Sequence, residues 1–372
     1  MKNWSAEIVA GIDQTAAIRF LERLTRIESP TEDVAACSAV IDEANSIIKE
    51  LLGTPGEVAV VKGHPTLSWK SGKPRILLLC HLDTVWPKGS FTPLWSVEGD
   101  VIRGPGVYDM KAGFLQAVLA TRALKNRDGI HILATTDEEM GSDASRELIE
   151  ASAKECETVL VFESAISGKV KTARKGTSMY HLHVQGRAAH AGLEPEKGIN
   201  AMVALANLVA KIPTIARSEV GTSVVPTTFK AGTTLNTVPA EAELAIDVRA
   251  FSSEEQERVD REIKSLAGTL DSGAILTVKG GINRPALDPK MSATLFEIAQ
   301  ASAAAIGMEK LEDAAVGGAS DGNFTAALGI PTLDGLGAVG DGAHAAHEWV
   351  SASGLMERSA LVAEMLRRLS SN

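Results

Sequence analysis

Asp137, Glu138 and Glu139 stand side by side in ILATTDEEMGS, directly after an apolar run. Like charges about 4 Å apart repel by about 4 kcal/mol at an effective dielectric near 20, so either water screens this trio or a cation meets it. Polar residues gather in the same way elsewhere: His81 and Asp83 follow RILLLC, and Glu163 follows TVLVF. One such strand end could be chance, but three mark the edge at which open α/β sheets bind ligands. In His81-x-Asp83 the carboxylate can orient a ligating imidazole. His, Asp and Glu without thiolate form a borderline-hard donor set suited to zinc, and also to cobalt or manganese.

Asp109, in GPGVYDMKAG, precedes a helical pattern that begins near Met110. A carboxylate there is either an N-cap or a ligand, and the two roles can coexist. His344 and His347, in GDGAHAAHEWV, compete for one role. His181 and His183 share one strand face without a third ligand close in sequence, and His64 and His131 have no acidic company. Cys80 points to the face opposite His81 and reads as an inert buried thiol.

The elements that must position these groups are legible as patterns. RILLLCHLD, GIHILATTD and TVLVFES are short and almost continuously apolar, as strands buried on both faces of a mostly parallel sheet are. Helical spacing occurs in DQTAAIRFLERLTRI, VAACSAVIDEANSIIKELLG, MKAGFLQAVLATRALK and SDASRELIEASAKEC. The expectation is an α/β fold, a mixed and mostly parallel sheet flanked by helices. From Lys175 the order becomes strand, helix, strand, strand, helix, strand, the plan of a ferredoxin-like α+β unit. The expected organisation is therefore a first domain over 1–174 and 285–372, with an inserted domain over 175–284.

Bulk properties narrow the function. The 372 residues are 45% hydrophobic and 23% charged, which fits a folded chain of more than one domain. The net charge of -10 and pI near 5.4 argue against nucleic acid or an anionic membrane as the main partner. Three cysteines without CxxC build neither a disulfide framework nor a thiolate zinc site, so the cytoplasm is the expected compartment. The opening MKNWSAEIVAGIDQ lacks the apolar core of a signal peptide, and no run reaches the ~18 apolar residues of a membrane span.

HLDTV, GPGVYDMKAG, TTDEEMGS, VFES, GRAAHAG, TLNTVPAEAELAIDVR, GGASDGN and GAHAAHEW together resemble the co-catalytic zinc metallopeptidases. That family includes glutamate carboxypeptidase, aminoacylase, acetylornithine deacetylase and succinyl-diaminopimelate desuccinylase, and the likeness is greatest to the glutamate carboxypeptidase branch. It implies a zinc-exopeptidase-like first domain and a lid and dimerisation domain as the insert. By position, Asp109 matches the carboxylate that bridges two Zn2+, with His81 and Glu163 on one ion and Glu139 and His344 on the other. Glu138 matches the general base and Asp83 the residue that orients His81. His190 matches a lid histidine that reaches the partner subunit's site, and Asn236 and Arg249 match lid residues that hold the substrate carboxylate. The family often has a cis peptide after the bridging Asp, here Asp109–Met110. His347 directly before Glu348 departs from the pattern, as does the proline of GPGVY; position favours His344 as the ligand.

The reaction this implies is metal-assisted amide hydrolysis on a small peptide or N-acyl amino acid, either a carboxypeptidase or a deacylase, in a homodimer. Bland alternatives exist for single residues: Arg249 could pair with Asp247, Asn236 could be a turn residue, and His190 a plain loop histidine. GLGAVG, Gly335–Gly340, matches G-x-G-x-x-G and raises a nucleotide-binding alternative, against which stand the few residues that follow. A catalytically silent scaffold is the third alternative.

Overall fold

Ile76–His81, Ile130–Thr135 and Thr158–Val161 are buried at every position, the pattern of strands covered on both faces. In the computed structural model, which describes residues 11–370, they pair in parallel, with Ile76–His81 between the other two. Alternate side chains of one strand enter different cores. Leu78 and Cys80 join the larger one, built on Gln14–Thr25, Val34–Leu52, Ala112–Arg122 and Ala352–Ser370, whereas Leu77 and Leu79 pack with Ile149 and Ala153 of Arg146–Lys154. Cys80 thus faces away from His81, and burial pushes its thiol pKa far up. Thr332–Leu333 adds a further parallel pairing.

The opposite edge is an antiparallel hairpin, Glu57–Val61 and His64–Lys70, which the apolar patterns do not reveal. Lys62 and Gly63, both at positive φ, make its two-residue turn, and such turns match the twist of the flanking strands. A small antiparallel sheet completes the unit: Val101–Arg103 pairs with both Ser96–Glu98 and Trp349–Ser351, and the latter pairs with Gly340–Asp341. The Asp109 loop leaves one of these strands and His344 lies between two others, so one sheet sets both.

The second unit has the strand order Ser223–Ala231, Glu241–Ala250, Gly176–Gln185, Ile275–Arg284, Gly268–Thr269, all antiparallel. Helices Ala201–Val209 and Ser253–Lys264 cover one face through Ala204, Leu205, Val259 and Ile263, which meet Tyr180, Leu182 and Val184. This is the ferredoxin-like arrangement. The unit comprises Arg174–Asp288 and Val316–Ala319. It extends past residue 284 because Leu287 bridges Arg174, and it takes in 316–319 because Lys175 N donates to Val316 O at 3.0 Å. No helix among the described residues is long and apolar enough to cross a membrane. The first ten residues, which carry most of the opening segment that lacks a signal-peptide core, lie outside the described range.

Candidate metal centre

His81 ends its strand with its ring 2% exposed, and Asp83 follows fully buried. The Asp83 carboxylate lies 3.3 Å from His81 Nδ1, accepts Thr31 Oγ1 at 2.7 Å, and accepts the backbone N–H groups of Glu138 at 3.3 Å and Glu139 at 3.1 Å. One buried carboxylate therefore fixes the imidazole and the acidic turn together. Burial would raise the Asp83 pKa, but its bonds to His81, Thr31 and the Glu139 amide hold it below the usual range.

The trio that posed the question divides its labour. Asp137 is buried and turns to the backbone, accepting the N–H groups of Ala144 at 2.8 Å and Ser145 at 3.1 Å. Glu139 faces His344 Nε2 at 3.0 Å, and the carboxylate of Glu138 falls in one potential ligand group with His81 and Glu163.

Asp109 lies in the turn Val107–Lys111, outside helical φ/ψ, and the Asp109–Met110 peptide is cis. The helix itself starts at Ala112 behind Lys111, so Asp109 is not its N-cap. Its two oxygens instead face two imidazoles: Oδ1 lies 3.3 Å from His81 Nε2, and Oδ2 lies 3.6 Å from His344 Nε2. His81 Nε2 also stands 3.6 Å from Glu163 Oε1. The donor atoms of His81, Asp109 and Glu139 all lie within 4.8 Å of one another. His344 is held at φ 60, an uncommon conformation for a residue with a side chain. His347 is exposed, falls in no potential ligand group among the described residues, and its carbonyl accepts Arg103 Nη1 at 3.0 Å.

Burial lifts the Glu139 pKa to about 7, with the Asp109 charge adding and the His344 bond opposing. The Glu139 bond raises His344 to about 9 against its partial burial. For His81, burial works downward, but hydrogen bonds to Asp109, Asp83 and Glu163 prevail and hold it well above its usual value. Four carboxylates, Asp109, Glu138, Glu139 and Glu163, converge on two imidazoles, with Lys171 Nζ 4.0 Å from the outer Glu163 oxygen. Even with both imidazoles protonated, negative charge stays in excess. An all-oxygen and imidazole set in that condition fits divalent transition-metal ions.

Sequence reasoning missed Glu348. It is 1% exposed and accepts the backbone N–H groups of Gly106 at 3.0 Å, Tyr108 at 2.9 Å and Asp109 at 3.2 Å, and the Trp86 indole at 2.9 Å. An acid two residues ahead of the buried Val350 was its one sequence signal.

GLGAVG serves the same strand end. A Cβ on Gly337 would stand 2.1 Å from Phe162 O, and Gly337 N donates to Glu163 O at 2.9 Å, so the glycine lets this loop close on the ligand-bearing segment. Gly340–Asp341 is a strand and the next helix starts at Ala352. The helix N-terminus that a dinucleotide motif requires does not follow the loop.

His190, Asn236 and Arg249, expected in the inserted domain, lie within the second unit. His190 pairs with Thr237, Ala191 N donates to Asn236 O at 2.9 Å, and His190 Nδ1 accepts N–H groups of Gly192 and Leu193, both at 3.1 Å. An accepting Nδ1 leaves the proton of the neutral ring on Nε2. Arg249 is at the far end of Glu241–Ala250, opposite Thr177, where it pairs with Asp247 at 3.0 Å. Eight strand steps separate it from Glu241, roughly 27 Å at about 3.4 Å each. The unit brings His190 and Asn236 together and keeps Arg249 apart from both.

The model of the peptidase family M20/M25/M40 matches residues 77–368, which includes every candidate ligand position as well as Asp83, Glu348, His190, Asn236 and Arg249. The chain belongs to this family. It is 31% identical to carboxypeptidase G2 of Pseudomonas sp. (strain RS-16), across 96% of this chain and 90% of that one, and 26% identical to succinyl-diaminopimelate desuccinylase of Aliarcobacter butzleri, across 72% and 76%. Among solved structures, aminopeptidase PepT of Bacillus cereus has the same fold with a TM-score of 0.79 at 22% identity, covering 96% of this chain and 99% of that one. YXEP of Bacillus subtilis, described as a dinuclear metal-binding peptidase, gives 0.67 at 16% identity, covering 96% and 98%. The family member described here is accordingly a metallohydrolase of the peptidase and amidohydrolase kind.

Proposed function

We propose that the protein is a di-zinc hydrolase that cleaves an amide bond beside a free carboxylate, releasing C-terminal glutamate or a similar amino acid from a small peptide or N-acyl substrate, with Co2+ or Mn2+ as substitutes for Zn2+. The observation that carries this reading is the division of the two Asp109 oxygens between His81 and His344, each imidazole with its own glutamate. In this reading His81, Glu163 and Asp109 hold one ion, and Glu139, His344 and Asp109 the other.

Bound dications supply Lewis-acid activation of a water and of the scissile carbonyl. Glu138 takes the proton of that water and delivers it to the leaving nitrogen. Asp83 keeps the His81 ring in place and, through two backbone N–H groups, the turn that carries Glu138. The Nε2–H of His190 steadies the developing oxyanion, and Arg249 and Asn236 hold the substrate carboxylate. Because His190 and Asn236 lie far from Arg249 in one chain, a site that uses all three draws on two copies, which favours a homodimer. The three free cysteines, all buried, suit a reducing cytoplasm.

Kinship to the Pseudomonas carboxypeptidase supports the exopeptidase reading. The desuccinylase, and an acetylornithine deacetylase of Buchnera aphidicola at 26% identity, support an N-acyl-amino-acid deacylase instead. The test is metal analysis with kinetics on peptidyl and N-acyl amino acids. Two ions per chain are expected, EDTA should abolish hydrolysis, and Glu138→Gln should lower kcat by about 10²–10⁴ with the ions retained. Full activity after chelation, or an unaltered kcat in the variant, overturns the mechanism.

A further inference from the structure

We propose that the sheet face of the second unit that its helices leave uncovered binds a small multivalent oxyanion, a phosphoryl compound or a di- or tricarboxylate, in a cavity of about 530 Å³. Its lining residues all belong to Arg174–Asp288, and the site is independent of the hydrolase reading.

The cavity follows from strand register. Tyr180, Leu182, Leu244 and Ile246 face the helices, so the alternate residues of the same strands point the other way. On that side Ala245 lies between Thr228 and His181, with Lys279 beyond His181; in the next row Glu243 lies between Lys230 and His183. Ala245, the short apolar side chain in the middle, leaves a hollow between longer neighbours. A lysine closes each end, on strands three spacings apart, roughly 14 Å at about 4.8 Å each.

Charge decides what the hollow takes. Lys230 stands directly opposite Glu243, where a cross-strand ion pair would ordinarily form. Among the described residues, however, neither lysine makes an ion pair or a side-chain hydrogen bond. Elsewhere in the unit Lys197, Lys264, Arg217 and Arg258 are all paired. Two cations against one carboxylate make this wall positive in a chain whose net charge is -10. A concave wall of one sign concentrates ligands of the other.

The remaining groups suit oxygen acceptors. Each imidazole offers an N–H in either tautomer, and Thr228 offers a hydroxyl. His181, His183 and Glu243 form none of the potential metal-ligand groups among the described residues, so the two rings serve an anion rather than a cation. Lysines at opposite ends reward a ligand that carries more than one negative group. The volume lies within the range of about 300–1,000 Å³ of small-molecule sites. Arg249, proposed above to hold the substrate carboxylate, is four residues beyond Ala245, roughly 14 Å along the strand, and lies outside the wall.

The test is NMR of protein labelled with ¹³C on its histidine rings, titrated at constant pH with inorganic phosphate and separately with succinate, the ionic strength being held with sodium chloride. His181 and His183, assigned through His181→Gln and His183→Gln, should shift saturably with at least one of the two. His81 and His344 report separately on any anion that reaches the metal centre. A response to phosphate alone assigns a phosphoryl ligand, to succinate alone a dicarboxylate, and to both the shared oxyanion chemistry. Lys230→Ala combined with Lys279→Ala should weaken binding at least about tenfold, the loss expected when hydrogen bonds to charged groups are removed. Ala245→Phe fills the hollow, leaves both lysines in place and puts a residue favoured in strands at a half-buried position, so it should abolish binding with the fold retained. The proposal is overturned if His181 and His183 show no saturable shift, if sodium chloride alone shifts them equally, or if binding is undiminished in either the double variant or Ala245→Phe.

Discussion

Glu348 holds Asp109 through the main chain: its carboxylate accepts the Asp109 N–H at 3.2 Å together with those of Tyr108 and Gly106. Three backbone donors, two of them in buried bonds, depend on one side chain that no ligand role requires. Leaving a buried donor without a partner costs about 1–3 kcal/mol, and partial relaxation keeps the total below the sum. Glu348→Ala should therefore destabilise the protein by roughly 2–5 kcal/mol in urea unfolding and lower its ion occupancy. Glu348→Gln, which keeps one accepting oxygen, should fall between. An alanine variant as stable as the wild type would show that the loop finds other partners.

Asp83 offers a different separation, between holding a ligand and being one. It is fully buried and meets His81, Thr31 and two backbone N–H groups. Partners of this kind typically contribute 10–100-fold to metal affinity. Asp83→Asn should weaken ion binding by about that factor in competition with a chromogenic chelator, without changing the number of ions at saturation. A lost ion would make Asp83 a ligand, and unchanged affinity would make its role purely structural.

How much of this was legible follows the physics of each signal. His81, Glu139 and Glu163 could be found because an apolar strand that ends in acid is a contradiction within a few residues of sequence. The second unit's strand and helix order was equally local. Glu348 gave no such sign, since three of its four partners are backbone amides some 240 residues away, and main-chain donors leave no residue type to read. Asp109 resembled an N-cap because its neighbours do form a helix, but the turn before Ala112 redirects its side chain. The hairpin at Lys62–Gly63 escaped because Glu57–Val61 is an exposed edge without burial alternation, although the glycine at its turn was there to be read. The opposite ends occupied by Asn236 and Arg249 depend on strand register, which residue type alone does not encode.

The protonation state of the centre predicts an opposition between pH and metal. Without ions, burial lifts Glu139 from its ordinary 4.5 to about 7, and the Glu139 bond lifts His344 from 6.5 to about 9. Both folded values lie above the unfolded ones. Each group therefore contributes stability that is complete below its unfolded value and is lost as pH rises through about 7 and about 9 respectively. Ions bind the deprotonated forms, so their stabilisation grows over the same window. The Tm difference between ion-loaded and chelated protein should widen from about pH 6 to about pH 9. A gap that stays constant would mean that these groups do not hold the ion.

The wide separation of Arg249 from His190 and Asn236 makes the proposed sharing between copies testable without a structure of the dimer. Glu138→Ala and His190→Ala should each be nearly inactive alone. If one copy's His190 serves the other's centre, a mixed dimer holds one site with neither defect, made of Glu138 from the His190→Ala copy and His190 from the Glu138→Ala copy. Random assembly puts half the molecules in mixed dimers, so about a quarter of the sites should regain full activity after the two variants are mixed, unfolded and refolded together. A histidine acting within its own chain gives no recovery, because every site then carries one of the two defects. The mixture must be compared with each variant refolded alone, and size-exclusion chromatography must find a dimer; a monomer of full activity would remove the shared site altogether.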